Sequence, residues 1–268
     1  MKVALLGVGM MGEAVLSGLV RAGMSGSDLT VTDVRVERSD ELVATYGVRF
    51  AEDAVDAVSG AEAVLVVVKP HDVPALLDQI SASLDPDAVV ISLAAGLTLA
   101  QLEAHVAPGQ PVVRVMPNTP AKVGVGMSAV SPGTSATTGH TARAEQIMRA
   151  VGEVVVVEEK YQDAVTAVSG SGPAYLFYVA DAMIEAGVHL GLPRPIAREL
   201  AVQTLLGSAT LLKESGEHPA VLRENVTSPG GTTAAALRVL DERAVRAAFL
   251  AAMQACRDAS VAMAQRTH

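Results

Sequence analysis

The sequence predicts an α/β protein in which an N-terminal, doubly wound sheet is followed by an all-α domain. Three observations predict this: short apolar runs alternate with helical patterns up to about residue 158, no convincing strand pattern follows, and a glycine-rich motif comes directly after the first apolar run. A chain of 268 residues is long enough for two domains. We therefore expect one domain at residues 1–158 and a second at residues 159–268.

The first domain is expected to be a mostly parallel sheet with helices on both faces. Val64–Val68 is an unbroken apolar run, which is typical of a strand that is buried on both sides. The strand candidates are Lys2–Gly7, Leu29–Asp33, Ala63–Lys69, Ala88–Leu93, Val112–Met116, Met127–Pro132 and Glu153–Val157. The helical patterns between them are Gly12–Ala22, Asp40–Tyr46, Val73–Ala82 and Leu99–His105.

The second domain is expected to contain helices alone. They are Glu159–Val168, Gly172–Gly187, Pro193–Lys213, Pro219–Asn225, Thr232–Val239 and Asp241–Gln265. Ala174–Ala180 and Ala244–Ala264 are apolar on nearly every side, and a domain of about 110 residues has little interior for such helices. We predict that this domain packs against a second copy of itself, and the alternative is a compact monomeric bundle.

Composition excludes several classes of function. Acidic residues outnumber basic ones by 29 to 20, so the net charge of −9 repels phosphates and disfavours a nucleic-acid partner. No uncharged run supplies the ~20 helical residues that cross a bilayer, and no signal peptide is visible, so we expect no membrane partner and a cytoplasmic location. Cys256 is the only cysteine and is interpreted as a small core residue, and no metal-binding cluster is indicated.

The glycine-rich motif predicts a dinucleotide site. It has the G-x-G-x-x-G spacing, it follows a strand and it opens a helix, which is the context that the motif requires. The first glycine permits a tight turn, the second lets the backbone approach a pyrophosphate, and the third lets helix and strand pack closely. We expect the cofactor to be NADPH or NADH, bound by Gly7, Gly9, Met10, Met11 and Gly12.

The end of the second strand gives two conflicting signals about the cofactor. Asp33 lies 21 residues after Gly12, where an acid binds the ribose 2′-hydroxyl of NAD and repels a 2′-phosphate. Arg35 and Arg38 follow closely and could hold that phosphate, or they could simply be solvated residues at a helix start. The preference between NADH and NADPH stays open.

Two further strand ends are expected to line the cofactor, because ligands of such sheets lie beyond the carboxyl ends of the strands. Val68, Lys69 and Pro70 end one strand, and Lys69 could face the nicotinamide or cap the strand in solvent. Asn118, between two prolines in Met116–Pro120, offers both a donor and an acceptor at the end of another strand.

The most specific segment of the sequence is Ser228–Thr233, which reads Ser-Pro-Gly-Gly-Thr-Thr and links two helices. Two glycines free backbone N–H groups at a helix start, and this arrangement builds a nest for a carboxylate. The alternative is a Pro-Gly turn in which a threonine caps the helix. The segment resembles the signature of pyrroline-5-carboxylate reductases, and Val168–Tyr175, Gly187–Pro193 and Met116–Pro120 match the same family in the same order.

The resemblance implies a reaction, a set of residues and an assembly. The reaction is reduction of (S)-1-pyrroline-5-carboxylate to L-proline with NAD(P)H, the last step of proline synthesis. Thr233 matches the hydroxyl that donates to the substrate ring nitrogen, and the other matching positions are Ser228, Gly230, Gly231 and Thr232 around the carboxylate and Ser171 in the loop that closes over the substrate. The family forms interlocked homodimers that can assemble into rings. The sequence departs from the family at Ala54, where many members carry an Asn that contacts the adenosine ribose.

The residues themselves suit reduction of an imine. A protonated cyclic imine is already an electrophile, so the protein needs only to position it and donate one hydrogen bond to nitrogen. A 3-hydroxyacid dehydrogenase, the nearest rival, depends on a helical Lys, and no Lys lies between Lys160 and Lys213. A redox-sensing module that binds the nucleotide without turnover is the rival from another class, and it does not explain the Ser228–Thr233 turn.

Overall fold

The computed structural model describes residues 1–266 and divides the chain into two compact units. The first unit contains Met1–Ser171 together with the chain from Cys256 onwards, and the second contains Gly172–Ala255. Hydrogen bonds explain why residues beyond 158 group with the first unit. The buried Arg114 donates to Glu159 Oε1 at 3.0 Å, and Ser260 Oγ donates to Asp163 Oδ1 at 2.7 Å.

The first unit is built on one sheet, which has eight strands within the described residues. The strand order is β3-β2-β1-β4-β5-β6-β7-β8, and every neighbouring pair is parallel except β6 and β7. The strands are β1 Val3–Leu6, β2 Leu29–Thr32, β3 Arg49–Phe50, β4 Ala63–Val66, β5 Val89–Ser92, β6 Val112–Met116, β7 Gly126–Pro132 and β8 Gly152–Val156. The doubly wound, mostly parallel sheet that the sequence predicts is confirmed.

Alternate residues of the central strands feed two separate apolar cores, because successive side chains of a strand point to opposite faces. Val3 and Leu5 of β1 belong to one core, and Ala4 and Leu6 belong to the other. The helices of this unit are α1 Met10–Arg21, α2 Ser39–Tyr46, α3 Ala54–Val58, α4 Val73–Ile80, α5 Leu99–Glu103, α6 Thr138–Arg149 and α7 Gln162–Val165. Buried residues of α1, α2 and α6 pack in the first core, and buried residues of α3, α4 and α5 pack in the second.

The second unit is helical. Its helices are α8 Gly172–His189, α9 Arg194–Ser215, α10 Pro219–Asn225 and α11 Thr232–Glu242, and α12 Val245–Arg266 begins in it. None of the residues of α8 is buried, and large apolar side chains such as Phe177, Tyr178 and Leu250 are 67%, 80% and 74% exposed. A compact monomeric bundle would bury such side chains, so the exposure favours the expectation that another surface covers them.

The structure corrects several expected elements. No sequence pattern predicts β3, which has two residues, or α3 and α6, because α3 is one turn long and α6 carries few apolar residues. The expected helix Glu159–Val168 is a 3₁₀ turn, the short α7 and a π-helical turn at Thr166–Gly170. The expected helix Asp241–Gln265 starts later, because α11 continues to Glu242 and Ala244 adopts a φ of +54° before α12. Within residues 1–266, no helix has the length and hydropathy to span a membrane.

Candidate functional site

The predicted dinucleotide motif forms a tight turn between β1 and α1, and its three glycines have three different surroundings. Gly7 has a φ of +95°, which only glycine adopts without strain, and its N–H donates to Thr32 O at 2.9 Å. A Cβ on Gly12 would collide with the Gly7 carbonyl oxygen, so this position must be glycine for the helix to approach the strand. A Cβ on Gly9 would meet no atom of the protein within 4 Å. The open space at Gly9 fits a ligand that approaches the backbone.

The turn lies at the point where the order of the sheet reverses. Leu6 at the end of β1 pairs with Thr32 of β2 on one side and with Val66 of β4 on the other. Crevices at such reversal points are where doubly wound sheets bind their ligands. α1 begins at Met10 with Gly9 as its N-cap, so no side chain caps the N–H groups of the first helical turn. Met10 is exposed and Met11 packs against the first core.

Asp33, which the sequence assigns to the ribose, is held by the protein itself. Its Oδ2 accepts from the Val8 N–H at 2.7 Å, and its Oδ1 accepts from the backbone N–H and Nε of Arg35, both at 3.0 Å. Burial alone would raise the pKa of Asp33, but the hydrogen bonds from Arg35 and Val8 outweigh it and hold that pKa below its usual value. The carboxylate is therefore ionised and ties the end of β2 to the glycine turn.

Arg38 is also part of this network. Its Nη1 donates to Val8 O at 2.8 Å and its Nη2 donates to Glu13 Oε2 at 2.9 Å. Tyr46 donates to the other oxygen of Glu13 at 3.2 Å. The interpretation of Arg38 as a merely solvated residue is wrong, because its side chain is 19% exposed and anchors the turn carbonyl.

The other strand ends differ in how close they come to the glycine turn. Val68 Cγ1 lies 3.0 Å from the position that a Cβ on Gly7 would occupy, so the residues after β4 pack directly on the turn. Lys69 is exposed and forms the N-cap of the short 3₁₀ turn Pro70–Asp72.

Asn118 connects three segments of the first unit. Its Oδ1 accepts from Met127 N at 2.9 Å, and its Nδ2 donates to Ser169 O at 3.1 Å. The side chain thus fixes the π-helical turn Thr166–Gly170 to the loop after β6. Turns of this kind are frequent at functional sites. Ser169 Oγ, in the same turn, is buried and has no hydrogen-bond partner in the part of the chain that the structure describes.

Ser171 follows this turn and contacts Cys256. The Cys256 Sγ donates to Ser171 Oγ at 3.2 Å, and both residues are half-buried in the first unit. The sequence predicts only a core position for Cys256, and it predicts neither this contact nor the buried hydroxyl of Ser169. Serine and cysteine spaced 85 residues apart leave no pattern in a sequence, so no signal could have found the pair.

The Ser228–Thr233 turn belongs to the second unit. Gly230 has a φ of +71°, and Gly231 N donates to Ser228 O at 3.0 Å, which closes the turn. α11 starts at Thr232 with Gly231 as its N-cap, so the alternative of a threonine cap is wrong. Thr232 and Thr233 are the first two helical residues, and the first helical turn, which carries a partial positive charge, has no side-chain cap. The geometry fits a small anion.

Comparisons with known proteins agree with both halves of this description. A family model described as pyrroline-5-carboxylate reductase dimerisation matches residues 159–263, and one described as NADP oxidoreductase, coenzyme F420-dependent, matches residues 2–96. The pyrroline-5-carboxylate reductase of Corynebacterium melassecola is 46% identical over 96% of this chain and 97% of its own length.

Solved structures give the same result over the whole length. A pyrroline-5-carboxylate reductase from Coxiella burnetii superposes with a TM-score of 0.93 at 33% identity, covering 98% of each chain. The pyrroline carboxylate reductase of Plasmodium falciparum, solved with NADP bound, superposes with a TM-score of 0.88 at 28% identity, again over 98% of each chain.

Proposed function

The chain belongs to the pyrroline-5-carboxylate reductase family, and from this premise we propose which of its residues carry out the reaction. The reaction is the reduction of (S)-1-pyrroline-5-carboxylate to L-proline with NAD(P)H, the last step of proline biosynthesis. A hydride adds to the carbon of the C=N bond, and a proton is placed on the ring nitrogen. The bound nicotinamide supplies the hydride, and the protein supplies binding, orientation and one hydrogen bond.

The glycine turn holds the pyrophosphate in this proposal. Gly7 forms the tight turn, and Gly9, Met10, Met11 and Gly12 present backbone N–H groups at the start of α1, which suits two negatively charged phosphates. The open space at Gly9 is the observation that supports this role. Asp33 and Arg35 lie at the adenosine end of the cofactor, at the carboxyl end of β2.

The strand ends beside the turn carry the nicotinamide end of the cofactor. Val68 packs on Gly7, and Lys69 and Pro70 continue from it, so these residues lie at the carboxyl end of β4 where the ligand is expected. Asn118 at the carboxyl end of β6 completes this edge, with its side chain held by Met127 N and Ser169 O.

The Ser228–Thr233 turn binds the substrate. Ser228, Gly230, Gly231 and Thr232 surround the carboxylate, and the uncapped first turn of α11 supplies the N–H groups. Thr233 donates the hydrogen bond to the ring nitrogen. Ser171 closes over the ring, and the chemistry requires the C=N carbon to come within roughly 3–3.5 Å of the nicotinamide. The single observation that carries this assignment is the glycine N-cap followed by two threonines in a unit that matches the family.

The second domain is a dimerisation domain, and we assign it an interlocked homodimer. Exposed apolar side chains support this assembly, and a groove between α10, α11 and α12 adds further apolar surface at Leu237, Leu240, Phe249, Leu250 and Met253. A ring of dimers is the proposed higher assembly. Sedimentation velocity measures both states, and a monomer at micromolar concentration would contradict the dimer.

Two further assignments belong to the same proposal. The functional division of the chain lies between residues 158 and 159, the helical part beginning with the 3₁₀ turn Glu159–Tyr161. The enzyme works in the cytoplasm, where the other reactants of amino-acid synthesis are found, and fractionation of the source cells with an antibody to the chain tests this location.

A spectrophotometric assay tests the proposed function. Purified enzyme should consume NADPH or NADH with pyrroline-5-carboxylate and release proline, and it should not consume either cofactor with 3-keto acids or semialdehyde acids. Turnover of those acids instead would favour a 3-hydroxyacid dehydrogenase. Nucleotide binding without turnover of any imine would favour a redox-sensing module.

A further inference from the structure

We propose that Asp33 is a positioning residue that fixes the glycine turn, and that Arg35, rather than Asp33, determines how the enzyme distinguishes NADPH from NADH. This inference rests on the proposed function, in which the glycine turn holds the cofactor. It reverses the usual expectation for an acid at the end of the second strand, which is recognition of a ribose hydroxyl.

The carboxylate of Asp33 has no free capacity for a ribose. An ionised carboxylate accepts about four hydrogen bonds. The protein supplies four donor contacts: Val8 N at 2.7 Å and Arg35 Nη2 at 3.2 Å to Oδ2, and Arg35 N and Nε at 3.0 Å to Oδ1. The side chain is 5% exposed. A ribose hydroxyl would therefore have to displace a donor that is already in place.

The same contacts orient the turn. The Val8 N–H is held by Asp33, and the Val8 carbonyl accepts from Arg38 Nη1 at 2.8 Å and from Arg35 Nη2 at 3.3 Å. The Val8 carbonyl and the Gly9 N–H belong to one planar peptide group, so anchoring the carbonyl also fixes the direction of the Gly9 N–H. Asp33 thus acts on the phosphate site indirectly, because it holds the Val8 N–H and also binds Arg35 Nη2, which in turn donates to the Val8 carbonyl.

Arg35 is the charged group at this position that remains available to a ligand. Its side chain is 47% exposed, and its contacts among the described residues use Nε and Nη2, which leaves the N–H groups of Nη1 for an anion. Arg38 is less available, because it is 19% exposed and pairs with Glu13 and Glu41. A 2′-phosphate, present in NADPH and absent from NADH, is the anion that fits a guanidinium edge at the end of β2.

Binding titrations with purified full-length enzyme test the inference. Dissociation constants of NADPH and NADH are measured by the quenching or enhancement of nicotinamide fluorescence, for wild type and for Asp33→Ala, Asp33→Asn, Arg35→Ala and the control Asp40→Asn. Asp40 is an exposed acid in the first turn of α2, outside the network. Circular dichroism confirms that each variant is folded.

Each variant has a distinct expected result. Asp33→Ala removes the anchor of Val8 and should weaken both cofactors by about tenfold, as expected for the loss of one charge-assisted hydrogen bond. Asp33→Asn keeps an oxygen for the Val8 N–H, so its NADH affinity should stay within about threefold of wild type. The same variant should bind NADPH more tightly than wild type, because Arg35 loses its ionised partner. Arg35→Ala should weaken NADPH alone, by about tenfold.

The opposite pattern would overturn the inference. If Asp33→Asn lost NADH affinity by tenfold or more while NADPH binding stayed unchanged, Asp33 would be the group that binds the ribose. Wild-type enzyme that bound neither cofactor would overturn the proposed function and, with it, this inference. The wild-type titration alone therefore distinguishes failure of the proposed function from failure of this inference.

Discussion

The Gly7–Gly12 turn and the Ser228–Thr233 turn are both glycine-rich loops that open a helix, yet different parts of the chain hold them in place. The first is fixed by distant residues: Thr32, Asp33 and Arg38 all bind its backbone. The second is closed by neighbours, since Gly231 N donates to Ser228 O and Ala235 N donates to Gly231 O. The Gly7–Gly12 turn therefore depends on the sheet around it, whereas the Ser228–Thr233 turn depends on the backbone preferences of its own residues.

This difference explains where each turn tolerates change. In the first turn, Val8 is fully buried and a Cβ on Gly12 would collide with the Gly7 carbonyl, so Gly9 is the position that can accept a side chain. In the second turn, Ser228, Pro229 and Gly230 are all exposed within their unit. In the first turn, substitution of Val8 or Gly12 should therefore impair folding, whereas substitution of Gly9 should impair ligand binding. In the second turn, substitutions should mainly impair ligand binding.

The largest effect is expected at Gly9. Gly9→Ala adds a methyl group where the protein has open space, so the fold should persist while the methyl group occupies the region that the pyrophosphate needs. We expect the NADPH dissociation constant to rise by at least about a hundredfold, equivalent to about 2.7 kcal/mol, in a fluorescence titration. Gly139→Ala, whose Cβ would meet only Thr137 Oγ1 at 3.6 Å, is the matched control. Unchanged affinity in Gly9→Ala would remove the phosphate role of the turn.

A somewhat smaller effect is expected at Thr233. Thr233→Ala removes the proposed donor to the ring nitrogen, and kcat/KM should fall by about tenfold to a thousandfold, the range for losing one transition-state hydrogen bond. The NADPH dissociation constant should not change, because Thr233 is assigned to the substrate nitrogen and not to the cofactor. Thr138→Ala, an exposed threonine of α6, is the control for the loss of a hydroxyl. Wild-type kcat/KM in Thr233→Ala would mean that solvent or another group provides the proton.

Acid should loosen the Gly7–Gly12 turn before the Ser228–Thr233 turn. The pKa of Asp33 is lowered in the folded protein, so its stabilisation is present above the ordinary value of 3.8 and is lost as the pH falls through the lowered value. Hydrogen exchange, corrected for intrinsic pH dependence, should show loss of protection at Val8 N–H below about pH 3.8 while Gly231 N–H, whose acceptor is a carbonyl, keeps its protection. If the Val8 and Gly231 N–H groups lost protection equally, the distinction between a turn held by distant residues and a turn closed by its neighbours would be contradicted.

The smallest effect concerns the backbone of the second unit. Ala244 has a φ of +54° between α11 and α12, a conformation that costs an alanine about 1 kcal/mol relative to glycine. Ala244→Gly should raise the free energy of unfolding by about 0.5–1 kcal/mol in urea titrations. Ala251→Gly, inside α12, should lower it by a similar amount because glycine disfavours a helix interior. A loss of stability in both variants would mean that Ala244 is not strained.

Local signals explain what the sequence could predict. β1 and β4 are apolar runs buried on both faces, and the glycine spacing after β1 identifies the turn without any knowledge of the sheet. The helix start at Thr232 is likewise predictable from its neighbours, because Gly230 and Gly231 directly precede it. In contrast, β3 pairs through only Arg49 and Phe50, and its existence depends on the neighbouring strand rather than on its own residues.

The partners of the site residues could not be predicted, because strand register and packing create them. The sequence predicts an acid, Asp33, at the end of the second strand. Its contact with Val8 cannot be predicted, because it exists only when β1 and β2 pair in parallel with Val3 opposite Leu29. The buried hydroxyl of Ser169 and the contact of Cys256 with Ser171 likewise depend on a π-helical turn and on α12, which is distant in sequence.

The apolar surface of α8 has a consequence for how the enzyme becomes active. A single chain holds Phe177 and Tyr178 in water, and association of two chains removes such side chains from water at a favourable free energy that depends on protein concentration. Dilution therefore shifts the population towards single chains, whose apolar side chains remain in water. If the proposed homodimer is the active form, recovery of activity after complete unfolding should accordingly follow second-order kinetics.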